Sequence, residues 1–175
     1  MKWILIVFGS IGALVLILWL VGASLPRDHV AARRARFRKP AAEVWGVITD
    51  LETAASWRST VTRVERRTEG DREIWVEHQK EWGDEMPLEV VERVAPWRFV
   101  TRIASEALPY GGTWTFELDE RGGETVVTIT ERGFVRSPLL RVLGRIFRYD
   151  PAESAATYLR DLGAKLGESV TPEPA

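Results

Sequence analysis

From Trp3 to Leu25 the chain carries no charged residue, and between Trp3 and Val21 only Gly9, Ser10 and Gly12 interrupt the apolar run. A helix needs about 20 such residues to cross roughly 30 Å of hydrocarbon. Only Lys2 precedes the run, whereas Arg27, Arg33, Arg34, Arg36, Arg38 and Lys39 follow it. That asymmetry predicts an N-terminal transmembrane helix over residues 1–25 with the remainder of the chain on the cytoplasmic side. A cleaved signal peptide is the competing reading, since Val21-Gly22-Ala23 offers small residues. Its apolar core is normally about 7–15 residues long and its positive charge precedes that core, and both features differ here. Gly9 and Ala13 make a small-xxx-small pair, a spacing that fixes no oligomeric state by itself.

The rest of the chain reads as one domain. It has 28% charged residues and a net charge of −1, which argues against a nucleic-acid partner. With no cysteine and only two histidines, it offers neither a thiolate site nor a metal-ligand spacing, so no metal and no cofactor are expected. Residues 26–32 read as a basic juxtamembrane linker, and about ten residues separate the membrane from the first strand, at most roughly 35 Å when extended.

A first strand is expected over Arg33–Arg38, where Arg33, Ala35 and Phe37 alternate with three arginines. Pro40 suits the first turn of a helix, Glu43 suits its dipole, and Val44, Ile48 and Leu51 give it one apolar face. A second short helix is expected near Glu52–Trp57. Six strand-like runs follow, over Thr60–Arg67, Glu73–Gln79, Leu88–Val94, Phe99–Ile103, Thr113–Leu118 and Thr125–Glu131. Short Gly- and Pro-marked gaps, among them Trp82-Gly83-Asp84 and Gly122-Gly123, favour antiparallel hairpins. After Gly133 the pattern turns helical to about Leu166, with Pro151 kinking or restarting the helix. Residues 169–175 are a polar tail. The class is therefore α+β, a curved antiparallel sheet of about seven strands closed by one long C-terminal helix.

The run KPAAEVWGVITDLETAASWRSTVTRVE, with Pro40, Val44, Trp45 and Trp57, resembles the opening of the START-like or Bet v 1-like superfamily, also called SRPBCC or polyketide cyclase/dehydrase. VVERVAPWRFVTRI is similar to its middle strand–turn–strand, GGTWTFELDERGGETVVTITERG to its late hairpin, and LRDLGAKLG to the end of its last helix. The resemblance implies a helix-grip fold over residues 33–168 and a sheet–helix cavity for a lipid or other hydrophobic small molecule. It implies no particular reaction, because members range from carriers to cyclases.

Candidate residues follow from chemistry and alternation. If Val127 and Ile129 face inward, so does Glu131, where it could bind or protonate a ligand. The plainer alternative is a strand-end glutamate paired with an arginine. His78 sits among Glu77, Gln79 and Glu81 and reads as an ordinary strand histidine or a general base. Tyr110 completes the weak acid–base candidates. His29, in the linker, is assigned to solvent or lipid headgroups.

Trp57, Trp75, Phe99, Trp114, Phe116, Leu143 and Phe147, with Glu131, are the expected cavity lining, and Trp82 joins Trp57 near an entrance. In PLLRVLGRIFR (138–148), Arg141, Arg145 and Arg148 oppose Leu139, Leu140, Leu143, Ile146 and Phe147. Either the leucine face enters the core, or the segment rests on an anionic bilayer with Arg33, Arg34 and Arg36. The expected function is uptake of a lipid or similar apolar molecule from the adjacent leaflet without turnover. A cyclase- or dehydratase-like enzyme and a packed interaction module are the alternatives.

Overall fold

The computed structural model describes residues 2–80 and 85–175. Trp82, Glu81 and the 82–84 turn lie outside the described residues.

Helix α1 (Lys2–Ser24) leaves its side chains exposed along nearly its whole length, and its segment Ile6–Ser24 is long and apolar enough to cross a membrane. Strand β1 (Asp28–Phe37) begins only three residues later. The expected linker over 26–32 and the ten-residue tether are therefore corrected to Leu25–Arg27. The strand extends back because β1 pairs with β7 (Glu124–Val135) from Asp28↔Phe134 to Phe37↔Thr125. Backbone groups left unpaired inside the domain would cost stability, so pairing overrides the weak local signal.

Helix α2 (Ala41–Thr49) follows Pro40 as expected. Glu120 reaches across from the sheet to accept from the Ala41 N–H at 2.7 Å, and the Thr125 hydroxyl donates to the Lys39 carbonyl at 2.7 Å. Both contacts fix the helix entrance, and a carboxylate at a helix N-terminus is stabilising in itself. A single 3₁₀ turn (Ala54–Ser56) comes next. The sheet then continues through β2 (Val61–Glu69), β3 (Arg72–Gln79), β4 (Glu85–Val94), β5 (Arg98–Ile103) and β6 (Tyr110–Arg121) to β7. Gly122 and Gly123, both at positive φ, make the two-residue turn between β6 and β7.

The expected helix after Gly133 starts later, because β7 runs on to Val135. Helix α3 (Pro138–Ile146) is capped by Ser137, and helix α4 (Pro151–Lys165) restarts at Pro151 with Asp150 as its cap. Proline at the first helical position costs no hydrogen bond, so Pro151 begins a helix instead of bending one. The tail is not free either. Glu173 and Pro174 form β8, which pairs with Arg33 and Arg34 and covers the outer edge of β1. The sheet order is β2-β3-β4-β5-β6-β7-β1-β8, antiparallel throughout.

Helix α4 lies across the concave face, chiefly over β1 and β7. The core beneath it joins Phe37, Val44, Ile48, Phe99, Phe116, Leu118, Val127, Ile129, Leu159 and Leu162, and none of the described α1 side chains belongs to it. Residues 26–175 should therefore fold cooperatively without α1. In that fragment Leu159→Ala, at a fully buried position, should cost about 2–5 kcal/mol in urea denaturation.

Candidate functional site

Directly opposed residues of an antiparallel pair share a face, so the register reads out the concave side. It carries Phe116↔Ile129, Trp114↔Glu131↔Ala31 and Gly112↔Gly133↔His29 towards the start of β1. Phe99 and Phe116 pair on the same face and are 1% and 5% exposed. They are core side chains, as is much of the middle of the grip. Their expected place in a cavity wall is corrected by the packing of Tyr158, whose ring centroid lies 5.1 Å from that of Phe116.

Two buried polar clusters flank this packed middle. In the first, Glu131 is only 4% exposed and uses both carboxylate oxygens. Oε1 lies 3.1 Å from His29 Nε2, and Oε2 accepts from Trp114 Nε1 at 3.0 Å. Glu131 thus faces inward, and its partners are a histidine and an indole rather than the arginine of the plainer expectation. The His29 ring crosses Gly133 so closely that a Cβ there would stand 2.5 Å from ring atoms. Glycine is required at 133 for this contact. Tyr110 opposes Val135 on the same face, beyond Gly112.

Sequence reasoning missed His29 because Pro26 and Arg27 look like linker and Arg33 interrupts the apolar alternation. The signal was present in His29, Ala31, Arg33, Ala35 and Phe37, one period-2 face continued backwards. His78 belongs elsewhere. It lies 3.2 Å from an Arg63 guanidinium nitrogen and 3.6 Å from Glu65, on the sheet face opposite Glu77 and Glu131.

The second cluster is centred on Glu77, 3% exposed, which is ion-paired with Arg58 and accepts from the Gln79 amide at 3.1 Å. Burial alone would lower the Arg58 pKa, but the Glu77 carboxylate outweighs it and the guanidinium pKa is raised. Arg58 also stacks 5.0 Å over the Tyr158 ring. Burial raises the pKa of that phenol; Arg58 opposes the shift and Glu77 adds to it. Trp57 packs edge-on against Tyr158 at 5.2 Å, and its indole N–H is buried without a hydrogen-bond partner. Ser59 donates from its backbone and hydroxyl to Asp161 at 2.7 and 2.8 Å, tying the 3₁₀ turn to α4.

An open cleft of about 330 Å³ lies where α2 and the following loop meet β3 and β4, lined by Leu51, Glu73, Trp75, Val90 and Arg93 among others. A second, of about 260 Å³, lies on the opposite face by Val76, Pro87, Ala104 and Leu108. Neither runs beneath α4. Among the expected lining residues, Trp75 therefore meets a cleft and Trp114 meets Glu131, while Leu143 and Phe147 stand outside the grip at 44% and 67% exposure. Their correction has a topological cause: α3 leaves the sheet after β7 and packs on α1.

The basic candidates divide similarly. Arg34 and Arg36 are paired with Glu173 and Glu124, and Arg33 donates to the Ala32 carbonyl. Arg141 donates to the carbonyl of Leu25 at 2.8 Å and to that of Arg136. Arg145 and Arg148 are exposed. Among the described residues, no group of three or more His, Asp or Glu side chains is placed to hold a metal ion.

Against known proteins, the model of a family described as polyketide cyclase/dehydrase and lipid transport matches residues 29–163. The chain belongs to that family. The match opens at His29, in register with the observed start of β1 and not with the linker boundary expected from sequence. No curated protein matches the sequence. Among solved structures, a START superfamily protein from Mycobacterium smegmatis shares 11% identity and a TM-score of 0.58, over 79% of this chain and 97% of its own. Truncated norcoclaurine synthase from Thalictrum flavum shares 12% identity and a TM-score of 0.62, over 80% and 93%. The di-domain aromatase/cyclase StfQ of the steffimycin biosynthetic pathway shares 10% identity and a TM-score of 0.61, over 79% of this chain but half of its own length. These likenesses establish the helix-grip fold; at such identities they carry no substrate.

The Arg58–Glu77 pair gives the site a testable mechanical role. Arg58→Met strands a buried carboxylate and should cost about 3–5 kcal/mol, whereas Arg58→Met with Glu77→Leu should recover most of that loss. Urea denaturation of both variants measures the difference.

Proposed function

We propose that this protein is a single-pass, membrane-anchored member of its family that binds a lipid or other hydrophobic small molecule on the concave side of the sheet. The observation that carries the reading is the open cleft where Leu51, Trp75 and Val90 stand among Thr49, Asp50, Glu52, Glu73 and Arg93, an amphipathic mouth on a domain joined to an apolar helix by three residues. Cleft sites of this kind hold apolar ligands through burial at about 25 cal/mol per Å², with a few polar groups setting orientation. Here Arg93 and Glu73 would do so at the rim. The filled middle of the grip confines the ligand to the mouth, which suits part of an amphipathic molecule better than a fully engulfed one.

Acid–base chemistry on the same face is the second reading, and the His29–Glu131 contact favours it. A carboxylate beside an imidazole can exchange a proton with a bound carbonyl or hydroxyl compound. His29→Ala and Glu131→Gln would remove turnover while leaving probe affinity at the Trp75 cleft largely intact. Loss of affinity without any turnover in the parent would leave binding as the function.

An apolar fluorescent probe titrated into residues 26–175 should bind saturably, near one-to-one, and quench part of the tryptophan emission. Trp75→Ala should weaken it by about 1–3 kcal/mol. Unsaturable partitioning, indifferent to Trp75, would overturn the binding reading and leave the packed interaction module.

The charge asymmetry about α1 sets the orientation. Alkaline phosphatase fused after Ala175 in a bacterial host should be inactive and a cytoplasmic reporter active. The reverse pattern would place the domain on the other side.

A further inference from the structure

The apolar stripe of α3 is the largest feature that the ligand-binding reading leaves unused. Leu139, Leu140, Leu143, Ile146 and Phe147 fall on one face of the helix and are all exposed, whereas Val142 is the one α3 residue in the buried core. A soluble domain would normally turn such a face inward. The face is also anchored at a particular place. Gly22 of α1 approaches Pro138 so closely that a Cβ on it would lie 2.0 Å from the proline carbonyl oxygen. Leu18 and Gly22, with Leu25 just past the helix end, form a receding stripe, whereas the other described side chains of α1 are exposed. Arg141 then donates to the Leu25 carbonyl at 2.8 Å, closing the α3–α1 corner.

We propose that α3 is an interfacial helix whose Leu139–Leu143–Ile146 face lies among the acyl chains of the leaflet next to the domain, held there by its packing on α1. It rests on the reading that α1 spans a bilayer, and adds that the domain is docked on that bilayer instead of swinging from it. Depth supports this occupant. Leu18 to Leu25 span about 10 Å of helix rise, and interfacial helices sit about 5–10 Å into the headgroup–acyl boundary. A helix packed on the last two turns of a spanning α1 meets that zone.

Charge supports it as well: from Pro138 to Tyr149 no acidic residue occurs. Arg145, exposed, lies on the side of α3 opposite the leucines, and exposed Arg148 follows just past the helix end, where both would meet lipid phosphates. Docking of α3 would also turn the His29–Glu131 end of the concave face towards the leaflet, because His29 is five residues from the end of α1.

The absence of cysteine makes a direct test practical. Full-length protein would be reconstituted in phosphatidylcholine vesicles containing phosphatidylglycerol, with a nitroxide at Leu143→Cys or Ile146→Cys. Leu14→Cys on α1 serves as the hydrocarbon reference and Glu69→Cys at the β2–β3 turn as the water reference. Collision with oxygen against a water-soluble nickel chelate reports depth. Labels at 143 and 146 should lie in hydrocarbon like Leu14→Cys but shallower, at about 5–10 Å below the headgroups. If they resemble Glu69→Cys while Leu14→Cys stays in hydrocarbon, the α3 proposal fails alone. If Leu14→Cys is also in water, the anchor reading fails and α3 docking with it. Shielding of 143 and 146 from both quenchers, with spin–spin broadening, would mean that a second copy covers the stripe, and would equally overturn the proposal.

Discussion

The closure of the sheet around α4, and with it the His29–Glu131 contact, depends on the antiparallel pairing of β1 with β7. The two strands are separated by most of the domain in sequence, yet they match residue for residue from Asp28↔Phe134 to Phe37↔Thr125. That pairing places His29 beside Glu131 and Phe37 over the α4 core, and it leaves the end of α1 where β7 hands over to α3. Val135 N–H donating to the Arg27 carbonyl at 2.9 Å is the last rung before the chain turns towards the apolar helix α1. A closure between such distant segments must be fixed by its register, because a slip of one residue would exchange Val127, Ile129 and Glu131 for Val126, Thr128 and Thr130, or for Thr128, Thr130 and Arg132.

The register also explains why polar groups can stand on an apolar face. Glu77 and Glu131 are both nearly inaccessible, and each has its oxygens engaged by neighbours: Arg58 and Gln79 in one case, His29 and Trp114 in the other. A buried carboxylate without such partners would cost several kcal/mol. The two differ in kind. Glu77 is neutralised by a permanent cation locked under the Tyr158 ring, which suits a structural strut. Glu131 is held instead by an imidazole and an indole, neither of them a permanent cation.

Much of the architecture was legible from patterning. The six later strands, the Pro40 helix, the Gly122-Gly123 turn and the restart at Pro151 follow from local chemistry that the tertiary structure did not need to override. The Glu131 face was legible too, from alternation with Val127 and Ile129. What was not legible is every feature set by contact between distant segments. The backward extension of β1, the role of His29, the capture of residues 173–174 as an edge strand and the α1–α3 corner all depend on partners more than 80 residues away. The leucines of α3 misled for a related reason. Helical periodicity reports that one face is apolar, not what that face touches.

That last distinction bears on how the fold has been adapted. A grip closed by a single long helix would place PLLRVLGRIFR over the sheet, where its leucines could floor a deep cavity. Here the chain spends that segment on α1 and lets the short α4 cover the sheet alone. The centre under α4 is filled by Phe99, Phe116 and Tyr158. On the concave side the open space lies at the mouth by Trp75, between α2, β3 and β4. The apolar helix moved outside and the aromatic rings that fill the inside are two sides of one change. If α1 spans a bilayer, a hydrocarbon phase lies beside the domain, and its mouth needs to hold only the part of an amphipathic molecule that leaves that phase.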